Sequence, residues 1–291
     1  MKRSNLCWTA LLAVTPVVVQ AADSRLTGQM QVQGNYLEID GEDGKWSLAT
    51  PNSWLGIEAV EEIGATRYLG VAQAEVDPLA DTAAVRQFYL ELEQSLFQVR
   101  AGRVATLEYQ HLAEPVNLMQ GTGANSSAVG QFVDSFADRL LQLDLSSREA
   151  GFFSAEWQLK EADDSSTLAA WTLVTGLYTA EGQASLSYHQ DEVQDAGRFG
   201  VSLRWEDGPW ALSAAYLFQE DPLAWDIGLD YQSGQVVSKF AYGQDETDSA
   251  GDYWTLGFEQ LHSVSVSNFF ELRWQPEDDS LLGQVGFQLK L

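Results

Sequence analysis

The sequence is poor in cysteine, and its single thiol lies in a segment that we expect to be removed. Cys7 falls within an apolar stretch from Leu6 to Val19, which follows two basic residues and ends at a small-residue cleavage site at Ala21. This pattern is typical of a secretory signal peptide, so we predict a leader over residues 1–21 and one mature domain over residues 22–291. Without cysteine, the mature domain has no disulfide, no thiolate metal site and no thiol nucleophile.

Basic residues are also scarce. The chain has 16 Lys and Arg against 42 Asp and Glu, and the loss of Lys2 and Arg3 with the leader takes the formal net charge from −26 to −28. So acidic a protein repels nucleic acid, which we exclude as a partner, and it favours cations in any pore that it forms. After the leader, no run of apolar residues is long enough for a transmembrane helix.

The sequence has instead a regular alternation of apolar and polar residues. At its C-terminus one face of the pattern is apolar and the other is not: Val285, Phe287, Leu289 and Leu291 alternate with Gly286, Gln288 and Lys290. In residues 24–36 one face is almost wholly polar, as a strand between lipid and a water-filled lumen requires. We therefore expect an all-β fold, a transmembrane antiparallel β-barrel of 16 strands.

The sixteen strands are predicted near 24–37, 52–63, 65–77, 84–95, 96–105, 138–146, 149–160, 166–178, 182–190, 196–206, 208–219, 223–232, 234–243, 251–261, 263–274 and 280–291. A soluble β-sandwich also has alternating strands and stays open as an alternative. In lipid, however, an open sheet edge would leave backbone groups without hydrogen bonds, which favours a closed barrel.

The predicted connections alternate between tight turns and longer polar segments, the latter at 38–51, 106–137, 191–195 and 244–250. Short periplasmic turns and longer external loops give this asymmetry in outer-membrane barrels.

Acidic clusters in the external connections begin at Asp40, Asp163 and Asp245. Their carboxylates suit Ca²⁺ or Mg²⁺ that bridges lipopolysaccharide phosphates, but solvated loop charges explain them better. No cofactor is otherwise implied.

Two parts of the chain resemble the Gram-negative general diffusion porins. The segment N-S-W-L-G-I-E-A-V-E-E-I-G-A-T-R-Y-L-G-V-A-Q-A-E (52–75) resembles the family's second hairpin, and R-Q-F-Y-L-E-L-E with F-Q-V-R-A-G-R (86–103) resembles the next. Residues 254–274 and the C-terminal strand resemble the last hairpins, whereas the middle matches only as generic strands. The resemblance implies a homotrimer in the outer membrane, in contact with lipid and lipopolysaccharide and inserted by the barrel-assembly machinery. It also implies that the third external loop, 106–137, folds into the barrel.

The resemblance further implies which residues form the pore constriction. The candidates are Arg86, Arg100, Arg103 and Arg139 on the wall, with Glu114 and Asp134 facing them from the loop. Arg103 matches the family's Gly-Arg, and Arg100 shares a face with Gln98, which we expect to point inward. Arg86 shares the parity of Phe88 and Leu90, which we expect to face outward. Arg139 shares that of Leu141 and Leu143, unless it precedes the strand or a β-bulge resets the register. The alternative for every candidate is a lumen charge that is only solvated or paired with a neighbour across the strands.

Three departures from the family pattern bear on the pore. The chain ends in Leu291 where the family usually ends in Phe, and Trp54 stands where the family often has Arg. The loop has few carboxylates, namely Glu108, Glu114 and Asp134. We therefore expect a weaker field across the constriction, with negative potential added by inward Glu58, Glu91 and Asp144.

The function that these features predict is passive diffusion of small hydrophilic solutes and ions, with a preference for cations and no enzymatic activity. A substrate-specific channel is the closest alternative, because inward Trp54 and Tyr89 would suit a sugar. An outer-membrane hydrolase needs a His and a Ser on one face, whereas His262 and Ser263 are adjacent and point to opposite faces. An adhesion barrel needs long external loops, and most of the predicted ones are short.

Overall fold

A computed structural model describes residues 23–40, 43–121, 127–147, 151–160, 168–220, 222–245 and 251–291. The predicted leader and its cleavage site lie outside the described residues. So do parts of the three acidic clusters, namely residues 41–42, Asp163, Asp164 and residues 246–248.

The described chain consists mostly of β-strands in sequence order. They are β1 (Asp23–Ile39), β2 (Lys45–Ala49), β3 (Trp54–Ile63), β4 (Thr66–Asp77), β5 (Thr82–Gln94), β6 (Phe97–Ala105), β7 (Phe136–Ser147), β8 (Gly151–Leu159), β9 (Leu168–Tyr178), β10 (Gly182–Asp191), β11 (Ala196–Asp207), β12 (Trp210–Phe218), β13 (Pro222–Ser233), β14 (Val236–Asp245), β15 (Asp252–Ser263), β16 (Val266–Gln275) and β17 (Ser280–Lys290). Between β6 and β7 the described residues form three helical turns: the π-helical α1 (Tyr109–Ala113), α2 (Glu114–Val116) and α3 (Ala128–Gln131). No helix among the described residues is long and apolar enough to span a membrane.

The strands close into one antiparallel barrel. β1 pairs with β17 from Gln29–Lys290 to Ile39–Ser280, so the first and last strands leave no open edge between them. β2 and β3 lie end to end along β1, opposite residues 33–37 and 23–29 respectively. Because these two segments share one place in the wall, the barrel has 16 strands, and the predicted fold is confirmed.

The segment β2 was missed by the sequence analysis, which assigned residues 38–51 to a loop. The strand has only five residues and is separated from β3 by a break at residues 50–53, so its alternation is too short to predict a strand. Its place in the wall depends on pairing with β1, which lies nearby only in the folded chain. Trp46 and Leu48 are 71% and 60% exposed on the outer surface.

The two faces of the wall differ as predicted. Large apolar side chains are exposed on the outer face, among them Leu26, Phe88, Leu90, Leu186, Phe258 and Val285. Aromatic pairs add to this surface, with ring centroids 4.4 Å apart for Trp210 and Tyr231 and 4.1 Å apart for Tyr242 and Trp254. Barrels that face lipid place such rings at the membrane interfaces.

The described parts of the connection between β6 and β7, residues 106–121 and 127–135, enter the barrel and are called the infolded loop below. Their apolar side chains pack on the inner faces of β12 to β15 and form the largest buried cluster among the described residues. The loop contributes Leu112, Ala113, Val116, Leu118, Met119, Ala128, Val129 and Val133, and the wall contributes Ala215, Leu217, Ala224, Ala241 and Tyr253. The prediction that this segment folds inward is therefore confirmed for the described residues. Part of the inner wall is apolar because it faces the loop instead of water.

Two glycines on the inner face make room for leucines of the infolded loop. At Gly200 of β11 an added Cβ would collide with the side chain of Leu112, and at Gly228 of β13 it would collide with that of Leu118. Both clashes fall under 3.0 Å, a separation that real Cβ atoms essentially never show. The missing side chains thus form sockets that let the loop lie directly against the sheet.

Candidate pore constriction

The tip of the infolded loop is bonded to the wall. Glu271 of β16 accepts the backbone amides of Gln120 at 2.5 Å and Gly121 at 2.8 Å. Gln31 of β1 donates to the carbonyl oxygen of Gln120 at 2.9 Å, and Gln288 of β17 donates to its side-chain oxygen at 3.1 Å. Glu271 is 2% exposed, so breaking these bonds inside the barrel would leave buried polar groups without partners. The tip is therefore held on three adjacent strands.

The returning part of the loop has its own anchor. Asp226 of β13 accepts the backbone amides of Ala128 at 2.9 Å and Val129 at 2.7 Å, and the hydroxyl of Tyr253 donates to the same carboxylate. Hydrogen bonds to a carboxylate are shorter and stronger than those between neutral groups, so Asp226 strongly fixes its donors. The beginning of α3 is thereby fastened to the barrel.

The first part of the loop is fastened to β8 and β11. Glu156 of β8 accepts the backbone amide of Leu107 at 3.1 Å. Glu108, which is buried, receives two hydrogen bonds from the guanidinium of Arg198 on β11, one of them at 2.9 Å. A bidentate contact between arginine and carboxylate fixes both distance and orientation. The loop is thus anchored at its start, at its tip and on its return.

His111 lies within this packed part of the loop. Its ring stacks on Phe152 with centroids 4.7 Å apart, and its Nδ1 is 3.2 Å from Nε2 of Gln183. Its backbone carbonyl accepts hydrogen bonds from the hydroxyls of Ser185 and Ser202. Burial lowers the pKa of His111 to about 4, so the ring is neutral at physiological pH.

The helical turns of the loop pack on β10 to β14, which leaves the lumen faces of β3 to β6 on the other side of the barrel to face solute. The strand register gives these faces six carboxylates and, with the bulged Arg86, three arginines. The carboxylates are Glu58, Glu62, Glu75, Asp77, Glu91 and Glu93, and the arginines are Arg67, Arg86 and Arg100. The candidate constriction lies between these faces and the edge of the infolded loop.

Arg100 lies on the lumen face, as expected from Gln98, and it belongs to a group of paired charges. Its guanidinium is 2.9 Å from the buried carboxylate of Glu91 and 3.5 Å from Asp144. Glu91 is also 3.6 Å from Arg67, which lies 2.9 Å from Glu93. Arg100 meets the infolded loop through Gln110 at 3.4 Å. Inward Glu91 and Asp144 therefore partly neutralise the arginines of this wall.

Arg86 points to the lumen although its parity predicts the outer face. Gln73 pairs with Gln87 and Ala74 pairs with Val85, so Arg86 is the additional residue of a β-bulge. Its guanidinium carbon lies 4.9 Å from the ring centroid of Trp54 and 5.3 Å from that of Phe136. The bulge thus resets the register, and Arg86 lies where β3 and β5 approach the end of the infolded loop.

Arg103 and Arg139 lie at a second bulge. The register between β6 and β7 shifts after Gly102, and Arg139 has a left-handed backbone with φ of 59°. Arg103 pairs across the strands with Phe88, which is 55% exposed on the outer face. The guanidinium of Arg103 lies 3.0 Å from the carboxylate of Asp138 and donates to the carbonyl of Arg86 at 3.1 Å. These contacts are with the wall, so a constriction role for Arg103 and for Arg139 stays a prediction.

The two expected loop carboxylates are both exposed. Glu114 begins α2, and the protein around it raises its pKa by desolvation. Asp134 lies where the loop returns to its start, since its backbone carbonyl accepts the hydroxyl of Thr106 at 2.5 Å. The structure brings neither carboxylate into an ion pair with the predicted arginines among the described residues, so their roles stay predictions.

The sequence analysis missed the groups that position the loop. These are Glu156, Arg198, Asp226, Lys239 and Glu271, with Lys239 donating to the carbonyl of Leu118 at 2.9 Å. Inward parity could have indicated a lumen position for each of them. The loop groups that these side chains bind depend on where the infolded loop crosses the wall. The residue pattern within a single strand does not show this. Among the described residues no group of three or more His, Cys, Asp or Glu is arranged to hold a metal ion.

The family model for Gram-negative porins matches residues 8–272. The chain belongs to the Gram-negative porin family. It is therefore a channel-forming outer-membrane barrel, and the predicted family resemblance is confirmed. No curated protein sequence matches the chain.

Solved porin structures share this fold at low sequence identity. The anion-selective porin from Comamonas acidovorans is 15% identical with a TM-score of 0.74, and the alignment covers 92% of this chain and 99% of that one. Salmonella typhi OmpF, solved in complex with daunomycin, is 13% identical with a TM-score of 0.73, covering 92% and 97%. A loop L8 deletion mutant of OmpT from Vibrio cholerae is 13% identical with a TM-score of 0.68, covering 92% and 99%. At such identity the likeness shows the fold alone.

Proposed function

We propose that this porin lets small hydrophilic solutes and ions diffuse passively along the lumen faces of β3 to β6, with a preference for cations. The observation that supports the preference is the excess of six carboxylates over three arginines on those faces. Fixed charges of one sign in a narrow pore raise the local concentration of the opposite ion. The Comamonas porin is anion-selective, so the preference rests on this chain's own residues.

Two of the three arginines contribute little net positive potential. Arg67 and Arg100 lie within 4.0 Å of carboxylates, and Glu91 is shared between them. An ion pair of this kind cancels most of the field that each partner would exert on a passing ion. Glu58 is likewise paired, with Arg25 of β1 at 2.6 Å. The carboxylates that set the sign are therefore Glu62, Glu75 and Asp77.

The test is the reversal potential of single channels in a planar bilayer under a KCl gradient. We expect stepwise currents with a reversal potential of the sign for K⁺ preference. Glu75→Gln removes a lumen carboxylate and should reduce that potential, whereas Asp207→Asn, at a tight turn, should not. The absence of current through a correctly folded barrel would contradict passive diffusion. A reversal potential of the opposite sign would contradict the cation preference alone.

A substrate-specific channel is the second candidate, and inward Trp54 and Tyr89 favour it. Rings on the path of a sugar provide flat apolar surfaces for its C–H groups. Liposome swelling separates the two functions, because passive diffusion gives rates that fall smoothly with solute size and do not saturate. A saturable rate for one sugar would favour the specific channel.

The proposal includes a homotrimer, export with a cleaved leader, insertion by the barrel-assembly machinery and contact with lipopolysaccharide. The TM-score of 0.73 to OmpF supports a porin-type barrel only. Crosslinking of the protein in outer-membrane fractions and the mass of the mature chain test these points. A mature N-terminus at Ala22 and a crosslinked trimer are the expected results.

A further inference from the structure

We propose that Arg86, Trp54 and Phe136 form a binding position for small organic monocarboxylates inside the channel. This inference rests on the proposed passage of solutes along β3 to β6. The guanidinium carbon of Arg86 lies over two aromatic rings, 4.9 Å from the centroid of Trp54 and 5.3 Å from that of Phe136. The three residues are called the arginine clamp below.

The arginine clamp is fixed by the fold. Arg86 is the bulged residue of β5, and its carbonyl oxygen accepts a hydrogen bond from Nε of Arg103 at 3.1 Å. Phe136 begins β7, at the end of the infolded loop, and its ring lies 6.3 Å from that of Tyr109 in α1. The clamp therefore lies at the junction of wall and loop, where the guanidinium is attracted to the two rings.

The edge of the guanidinium is the part of the clamp that a ligand would meet. Among the described residues the Arg86 side chain forms no ion pair and donates no hydrogen bond, whereas Arg67 and Arg100 are bound to Glu91 and its neighbours. The two rings offer the guanidinium no hydrogen-bond acceptor, so its N–H groups, which lie in its plane, are available to a ligand. Two parallel N–H groups match the two oxygens of a carboxylate.

The surroundings select for one negative charge and an apolar body. Glu75 lies directly across the strands from Trp54 on the same face, and the rest of the open wall is also rich in carboxylates. A dianion would be repelled by these groups more strongly than a monoanion. The rings of Phe136 and Tyr109 offer an apolar surface beside the clamp. Benzoate should therefore bind better than acetate, and acetate better than sulfate.

The experiment measures the KCl current of single channels while chloride is replaced by benzoate at constant ionic strength. We expect benzoate to reduce the current reversibly and with saturation. In Arg86→Gln the concentration for half of the effect should rise by roughly tenfold or more, the usual loss for one charge-assisted bidentate contact. Arg86→Lys keeps the charge without the planar fork and should lose most of the advantage of benzoate over acetate.

The matched control is Arg25→Gln, which also removes one lumen-face arginine, here one bonded to Glu58 at 2.6 Å. If Arg25→Gln weakens the benzoate effect as much as Arg86→Gln, the effect belongs to the general field and the clamp is refuted. A wild-type channel that conducts KCl without any response to benzoate also refutes the clamp but leaves the proposed diffusion function intact. A channel that does not conduct KCl refutes the diffusion function itself. Arg86→Lys decides the question if Arg86→Gln does not fold.

Discussion

The glycine socket at Gly228 allows a direct test of how the infolded loop is held. Leu118 is 8% exposed, and its side chain occupies the space that a side chain at Gly228 would need. In Gly228→Ala the new methyl group collides with Leu118, and overpacking of this kind costs about 1–3 kcal/mol. The closed barrel does not depend on this contact, so we expect the cost to appear as easier detachment of the loop and not as unfolding of the strands.

The size of this free-energy cost depends on the contact between the new methyl group and the Leu118 side chain. Leu118→Ala alone loses the buried side chain and leaves a cavity, which costs about 2–5 kcal/mol for a fully buried leucine. In the double variant the methyl at residue 228 fills part of that cavity and meets no leucine. We therefore expect the double variant to be more stable than the sum of the single effects by about 1–2 kcal/mol, a coupling typical of residues in direct contact.

The assay is amide hydrogen exchange of residues 117–121 and 127–133 in the folded barrel. A loss of about 1.4 kcal/mol in docking free energy corresponds to a tenfold loss of protection. Gly283→Ala is the matched control, because a Cβ there would make only ordinary contacts at 3.8 Å or more. Equal effects of the two Gly→Ala changes, or strict additivity in the double variant, would show that the socket does not position the loop.

The anchoring groups give two further predictions. Asp226→Ala removes the acceptor of the Ala128 and Val129 amides, and at roughly 1–3 kcal/mol for each buried donor without a partner we expect exchange at residues 127–133 to rise at least tenfold. Asp230→Ala, on the same face of β13, should leave it unchanged. Because burial lowers the pKa of His111 to about 4, a detached loop binds a proton between pH 6.5 and 4 that the docked loop does not. Docking is therefore fully stable above pH 6.5 and weakens on acidification, by up to about 3 kcal/mol, which current noise should report in wild type but not in His111→Gln.

Most of the wall was predictable because its signal is local. Alternation with period two depends only on which face of a strand meets lipid, so it is visible in each segment separately. The strand β2 escaped detection because five residues before a break are too few to show a period. Its partner β1 is recognisable by itself, but the pairing of the two is a property of the folded barrel.

The candidate site was less predictable, and the two bulges explain part of the difficulty. A bulge adds one residue to a strand and reverses the parity of everything beyond it, while the sequence keeps the same alternation. Parity alone assigned Arg86 to lipid, whereas the shift after Gln73 turns it to the lumen. Arg139 met the same difficulty, and its φ of 59° marks the second irregularity. Register shifts are set by pairing between strands, so single-strand patterns do not reveal them.

The buried anchors contribute to the protein's net charge without facing the open part of the pore. Asp226, Glu271 and Glu156 all lie on the lumen side, but their oxygens are bonded to backbone amides of the infolded loop and each is no more than 5% exposed. A solute in the open part of the barrel does not meet these carboxylates directly. Their role is structural, because each accepts loop amides at a position that the docked loop buries.

The net charge of the whole chain is consequently a poor measure of the field in the pore. The relevant groups are those on the open faces of β3 to β6, where arginines and carboxylates are mostly paired and the excess of negative charge is small. On such a wall a single unpaired guanidinium has a strong local effect, since no neighbour within ion-pair distance cancels it. A modest overall preference for cations and a local position for a carboxylate at Arg86 are thus compatible. The first depends on the sum of the wall charges, and the second depends on one side chain that a bulge and two rings keep apart from the acids.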